Sequence, residues 1–301
     1  MATLLWRAVL LCELLGSAAA ATALAGRWAA PSALRALGAL GAGVFVFLLL
    51  QGLPVVITYG RRRWTSHALV SRPGAGTVIR ESAALLRAAL AMCRGRAAPA
   101  HRVPAPDASA RPVILVHGIF CNGRIWGALE RKLAAAGFAP VLAVTLEPLL
   151  ADLDVHARTL ARALEALSAE TGERVTLVAH SMGGLIARAA LRTVRPGLLR
   201  QIVTLGTPHQ GTLLADDLSL TPVRQMRPGS AWLETLNSTQ ADGLGVPLSC
   251  LYSADDNLIV PAASGTFAPA TAIRLHGLGH LSLLFCDHAL EAVIAELRKT
   301  D

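Results

Sequence analysis

From Ala36 to Tyr59 the chain carries no charged residue. As a helix rising ~1.5 Å per residue, a run of that length matches a hydrocarbon core of ~30 Å. Gly38, Ala39, Ala42 and Gly43 fall at small-xxx-small spacing, which lets a second helix approach closely. Thr3 to Ala25 is the expected partner, with its own small residues at Cys12, Gly16 and Ala20. Arg27, Trp28 and Pro31 mark the turn between them, and Tyr59, Arg61 to Arg63 and Trp64 follow as an interfacial anchor. Arg7 and the Ala-x-Ala sites near Ala20 also suit a cleaved signal peptide. Glu13 inside the apolar run, and a second span directly after it, favour a two-helix membrane anchor over residues 1–64 instead. A core helix is disfavoured for the second span, whose uniform apolarity leaves no polar face.

Residues 65–111 read as a connector. Glu81 to Met92 has helix-forming composition, while Arg94 to Arg111 is rich in Pro, Ala and Arg without an apolar period and reads as a flexible tether. Residues 112–301 alternate short β-rich runs with helical patterns, which predicts a mainly parallel sheet with flanking crossover helices. The expected strands are Val113–His117, Val141–Leu146, Val175–Ala179, Ile202–Gly206, Leu248–Ser253 and Ala272–Leu275. The expected helices are Ala128–Ala136, Asp152–Glu170, one running from the segment after Ser181 to Val194, and Leu283–Leu297. Residues 207–245 have the length of a small cap, and no internal repeat is visible.

Composition adds three constraints. With 53% hydrophobic residues and a mean hydropathy of +0.49, the chain is too apolar for a purely soluble protein. The net charge of +8 comes from dispersed arginines, with no basic run beyond Arg61–Arg63, so nucleic acid is set aside as a partner. The five cysteines show neither a CxxC pair nor metal spacing, and reduced structural thiols are favoured over a pairing of Cys250 with Cys286.

The chemistry concentrates on Ala179-His180-Ser181-Met182-Gly183, which follows a strand and opens a helix. That context makes a tight turn holding Ser181 as an exposed nucleophile, with Ala179 and Gly183 small because strand and helix nearly touch. An oxyanion hole would pair the Met182 N–H with a donor after the first strand of the domain, at His117-Gly118-Ile119-Phe120. Ile119 is the chosen donor, Phe120 its neighbouring alternative, and His117 a structural imidazole. His280, in the Gly-Leu-Gly-His loop after the last strand, is the expected base, ahead of His276 and His288. His180 and His209 sit in tight turns and orient backbone. The acid should follow the penultimate strand, at Asp256, with Asp255 as the fallback and Asp216 and Asp217 more distant candidates.

The strings Ala-His-Ser-Met-Gly-Gly, His-Gly-Ile, Leu-Gly-Thr-Pro-His-Gln-Gly-Thr and Gly-Leu-Gly-His resemble the bacterial α/β-hydrolase lipases and esterases over about residues 112–299. His117 to Asn122 and Arg224 to Ser230 resemble a membrane-tethered group of them. The resemblance implies the α/β-hydrolase fold and carboxylic-ester hydrolysis by Ser181, Asp256 and His280, with backbone donors at Ile119 and Met182 and no cofactor; no metal-ligating residues are expected. The elbow departs from the commoner Gly-x-Ser-x-Gly at Ala179. A small-molecule or lipid ester is the expected substrate, by an acyl-enzyme route; a thioesterase, phospholipase or acyltransferase, or a silent tethered binding module, are the alternatives. The expected location is a bacterial inner membrane, with the catalytic domain weighted to the cytoplasmic side. The tether further predicts that the domain works without residues 1 to about 64.

Overall fold

The computed structural model describes residues 1–25, 32–65, 73–94, 100–103, 111–195 and 197–300. It opens with two long helices, α1 (Ala2–Ala25) and α2 (Ser32–Thr65), packed along one another. Both are long and apolar enough to cross a membrane. They meet where residues are small: a Cβ on Gly43 would lie 3.4 Å from Ala21 Cβ and 3.6 Å from the Ser17 carbonyl. Lower down, Gln51 Nε2 donates to Glu13 at 2.5 Å, giving the one acidic group in the first apolar run a polar partner on the second. The expected turn residues Arg27, Trp28 and Pro31 lie outside the described residues, as do the side chains of Arg63 and Trp64.

The connector departs from its composition in two places. Helix α3 (Ala75–Cys93) is longer than expected and buries Ala84, Ala88, Ala89 and Met92 along one face. Within the expected tether, strand β1 (Ala100–Val103) pairs antiparallel with β3 (Val141–Val144) at the sheet edge. Four residues supply no readable period, so only pairing with an existing edge reveals the strand.

Along the rest of the chain come β2 (Val113–Val116), α4 (Gly127–Ala135), β3, α5 (Leu153–Thr171), β4 (Val175–His180), α6 (Met182–Ala190) and β5 (Leu199–Leu205). The short helices α7 (Thr221–Gln225) and α8 (Ala231–Ser238) lie between β5 and β6 (Leu248–Ser253), followed by β7 (Thr271–Leu275) and α9 (Asp287–Arg298). The sheet order is β1-β3-β2-β4-β5-β6-β7, parallel from β3 to β7. The central strands are buried throughout because helices cover both faces. Alternation sends Ile114, Val116, Leu177 and Ile202 toward α5 and α6, and Val113, Leu115, Val178 and Val203 toward α3, α4 and α9. Asp152 caps α5 by accepting from Asp154 N–H, and Gly172 ends it with φ of +71°. The terminal helix starts later than its pattern suggests, at Asp287, after a 3₁₀ turn over Ser282–Leu284.

The chain leaves β2 toward β3 and returns on the other side to β4. That reversal opens a crevice at the carboxyl ends of β2 and β4, where side chains from several loops can converge.

Candidate active site

Strand β4 ends at His180 and α6 starts at Met182, leaving Ser181 alone in the turn with φ 56° and ψ −129°. A non-glycine residue held at positive φ is strained and persists only where its surroundings fix it. Here Ser181 N–H donates to Leu205 O at 2.9 Å, and the Ser181 carbonyl accepts from Gly184 N–H at 3.0 Å and Thr207 Oγ1 at 2.9 Å. The glycines behind it are steric necessities: a Cβ on Gly183 would lie 2.5 Å from the Val116 carbonyl. Met182 begins α6, so its N–H is a first-turn donor without a helical acceptor. On the facing loop, a Cβ on Gly118 would lie 2.9 Å from Ser181 Cβ, so only glycine lets this backbone pass over the serine. Ile119 follows, half-buried, and Phe120 takes φ of 60°, a second strained residue in the same loop.

His280 and Asp256 meet from separate loops. The Nδ1 of His280 lies 2.9 Å from Asp256 Oδ2, with both side chains buried. Asp256 Oδ1 also accepts from Leu258 and Ile259 N–H at 2.8 and 2.9 Å, which fixes the carboxylate before it meets the ring. Burial alone would push the His280 imidazole down; Asp256, by charge and by hydrogen bond, and then Glu81 hold it above its ordinary value. With Nδ1 committed to Asp256, Nε2 is the nitrogen left for proton exchange. Gly206, just after β5, has φ of +52°, and a Cβ there would lie 3.0 Å from Asp256 Oδ2 and 3.2 Å from His280 Nδ1.

The other candidates are drawn elsewhere. Asp255 accepts from Gly277 N–H at 2.8 Å and so braces the loop leading to His280. Asp216 and Asp217 are exposed and pair with Arg227 and Arg61. His276 and His288 are exposed. His117 Nε2 accepts from Leu146 N–H at 3.0 Å, so its Nδ1–H donates to Gly118 O at 2.8 Å; burial lowers its pKa to about 4. His180 Nε2 donates to the His280 carbonyl at 3.1 Å, and burial holds it neutral. His209 lies 3.3 Å from the buried Arg188 guanidinium, which Asn237 and Gln240, on and just after α8, also bind. The cysteines are all unpaired. Among the described residues, no cluster of His, Cys, Asp and Glu has metal-site geometry.

Sequence reasoning missed a set of contacts from the N-terminal elements. Trp6 Nε1 of α1 donates to Phe120 O at 2.7 Å. From α2, Tyr59 donates to Asp255 O at 3.0 Å and Arg62 binds Ala254 O, while Thr58 Oγ1 accepts from Asn257 Nδ2 at 2.8 Å. Asn257 in turn accepts from His280 N–H at 2.9 Å. Tyr59 and Arg62 thus grip the folded domain, where an interfacial anchor was expected, and the domain is not insulated from the hairpin. Helix α3 reaches the far side of His280 through Arg80 and Glu81. These residues sit among ordinary helical patterns, so no local signal distinguishes them.

A strained serine after a central parallel strand, with a carboxylate–imidazole pair contributed after later strands, is the arrangement of an α/β-hydrolase fold. Residues 113–249 match the alpha/beta hydrolase family. Triacylglycerol lipases of Pseudarthrobacter phenanthrenivorans and Burkholderia plantarii are each 33% identical over 118 residues. That stretch is 36% of this chain but only 36% and 32% of theirs, so the chain matches about a third of those relatives. Lipase B of Pseudozyma antarctica is 27% identical over 175 residues, covering 54% of this chain and 50% of that one. Among solved structures, the mature Bacillus licheniformis lipase BlEst2 superposes with a TM-score of 0.58 at 16% identity, covering 67% of this chain and 99% of that one. Aspergillus fumigatus lipase B gives 0.58 at 19% identity, over 67% and 56%. At such identities the likeness is one of fold.

Proposed function

We propose that this protein is a membrane-attached serine hydrolase of carboxylic esters, acting on lipidic or acyl-chain esters by a Ser181–His280–Asp256 acyl-enzyme mechanism. The observation that carries it is the buried 2.9 Å contact of His280 Nδ1 with Asp256 beside a serine held at positive φ. In this reading His280 Nε2 takes the Ser181 proton as Oγ attacks the ester carbonyl. The Met182 and Ile119 N–H groups receive the oxyanion, each worth about 3 kcal/mol of barrier. The imidazolium passes its proton to the leaving alkoxide, and water, activated by the same nitrogen, releases the acid. No cofactor enters this chemistry. The names of the similar lipases and the apolar helices beside the site support an acyl-chain ester.

The test is hydrolysis of p-nitrophenyl esters of increasing acyl length by the full chain in detergent, with fluorophosphonate labelling of Ser181. Rates that rise with acyl length and labelling lost in Ser181→Ala would support the reading. A chain that neither labels nor turns over any ester would defeat it, and turnover confined to acyl thioesters would move it to that class. The membrane part is tested separately. Three arginines after the second span favour a cytoplasmic catalytic domain, and a reporter fused after Asp301 that is active only in the periplasm would reverse that orientation.

A further inference from the structure

Helix α3 lies outside the segment that matches the alpha/beta hydrolase family, yet it holds the base loop on both sides of His280. Before the histidine, Arg80 Nη2 donates to Gly277 O at 2.9 Å. After it, Glu81 accepts from Leu281 N–H at 2.8 Å, Ser282 N–H at 2.8 Å and Ser282 Oγ at 2.7 Å. Glu81 is 1% exposed. Burial pushes the Glu81 carboxyl up, and these hydrogen bonds, together with the nearby His280, act the other way and favour the anion. Burying a charge is costly unless it is hydrogen-bonded in this way. Gly279 is required by the same contact, since a Cβ there would strike the Glu81 carboxylate.

We propose that Glu81 is a positioning residue for His280: it fixes the loop that carries the imidazole and supplies a buried negative charge that favours the imidazolium formed during ester cleavage. The role rests on the serine-hydrolase reading given above. Two carboxylates then act on one imidazole, Asp256 by direct hydrogen bond and Glu81 through the loop and through space, and both raise its affinity for a proton. The charged and titratable groups facing Glu81 are His280 on the base loop and Tyr59 on α2, with Arg80 next on its own helix; Arg62, Asp255 and Asp256 lie around Tyr59.

Two substitutions separate charge from reach. Glu81→Gln keeps the shape, removes the charge and turns one acceptor into a donor facing an N–H. Its kcat should fall about tenfold with KM nearly unchanged, and the acid limb of kcat/KM should move down by about 0.5–1 pH unit, because the base then releases its proton more readily. Glu81→Asp keeps the charge but is one methylene too short for the same three donors. Its kcat should fall while the acid limb stays where the wild type has it. A wild-type acid limb and kcat in both variants, each melting as a folded protein, would overturn the proposal. So would loss of the fold in both, which would assign Glu81 to stability alone. If wild-type protein neither labels with fluorophosphonate nor hydrolyses esters, it is the serine-hydrolase reading that fails, and the distinction is visible before any variant is made.

Discussion

The segment matching the alpha/beta hydrolase family and the N-terminal helices hold different halves of the site by different means. In the first, Ser181 and the Gly118–Phe120 loop are fixed mainly by backbone: a carbonyl from the neighbouring strand, glycines that let chains pass in contact, and a helix start at the serine, with Trp6 of α1 adding one side-chain bond to Phe120 O. In the second, the loops carrying Asp256 and His280 are held by long side chains arriving from α2 and α3. A backbone-made site survives many substitutions because its groups are present at every residue. A side-chain-made brace depends on single residues, and here on a segment that the family match does not include.

On the proposed mechanism, the largest effects should come from Ser181 and Asp256. Ser181→Ala is expected to lower turnover by about 10⁴-fold or more while leaving the melting temperature near wild type; residual turnover within a few-fold would remove the serine from its role. Asp256→Asn should cost about 10⁴-fold by disorienting the imidazole. Asp255→Asn, which weakens a brace to Gly277 and removes a charge facing Arg62, should cost about tenfold. Equal losses at the two aspartates, measured side by side on a short ester, would undo the assignment of the acid.

Deletions test the comparison directly. Removing residues 1–72 takes away the Trp6, Thr58, Tyr59 and Arg62 contacts but spares α3, and should reduce kcat about 10- to 100-fold and lower the melting temperature. Removing residues 1–99 also takes Arg80 and Glu81, and should leave little activity even in soluble protein. A fully active product from the second deletion would show that the loops carrying Asp256 and His280 are held without the N-terminal helices. Acid stability probes the backbone half. The folded His117 pKa is about 4 against an unfolded value near 6.5, so the unfolded chain binds more protons below pH 6.5. The His117 contribution to stability should therefore be full above about pH 6.5 and shrink by about 3 kcal/mol as pH drops toward 4. His117→Gln should melt with a shallower pH dependence across that window.

What the chain reveals without its structure follows the same division. The strand–serine–helix junction is a local pattern, and so are the fully apolar strands, whose both-face burial leaves no alternation to misread. Asp256 was separable from Asp255 only by its place before Asn257, and the physical reason lies in the Leu258 and Ile259 N–H groups that fix it. Glu81 and Thr58 act some 200 residues from their partners. A single sequence carries no trace of such pairings, because each residue suits its own helix whether or not the partner exists. Strand β1 was lost for the same reason, being defined only by the edge it joins.

The smallest predicted effect bears on the longest chain of contacts. Thr58 Oγ1 accepts from Asn257 Nδ2, and Asn257 Oδ1 accepts from the His280 N–H, so one hydroxyl on a long apolar helix reaches His280 through a single amide. Thr58→Val keeps the volume and branching but leaves the buried Asn257 Nδ2 without this acceptor, a cost of about 1–2 kcal/mol. Part of that should appear as lost stability and part as a few-fold drop in kcat, since Asn257 can then turn and relax its hold on the histidine backbone. Asn257→Ala should abolish any further effect of Thr58→Val if the two act in series, and a double-mutant cycle on kcat measures that coupling. Additive losses in the cycle would mean that α2 steadies the acid loop by some route other than Asn257, leaving Tyr59 and Arg62 as the contacts that matter.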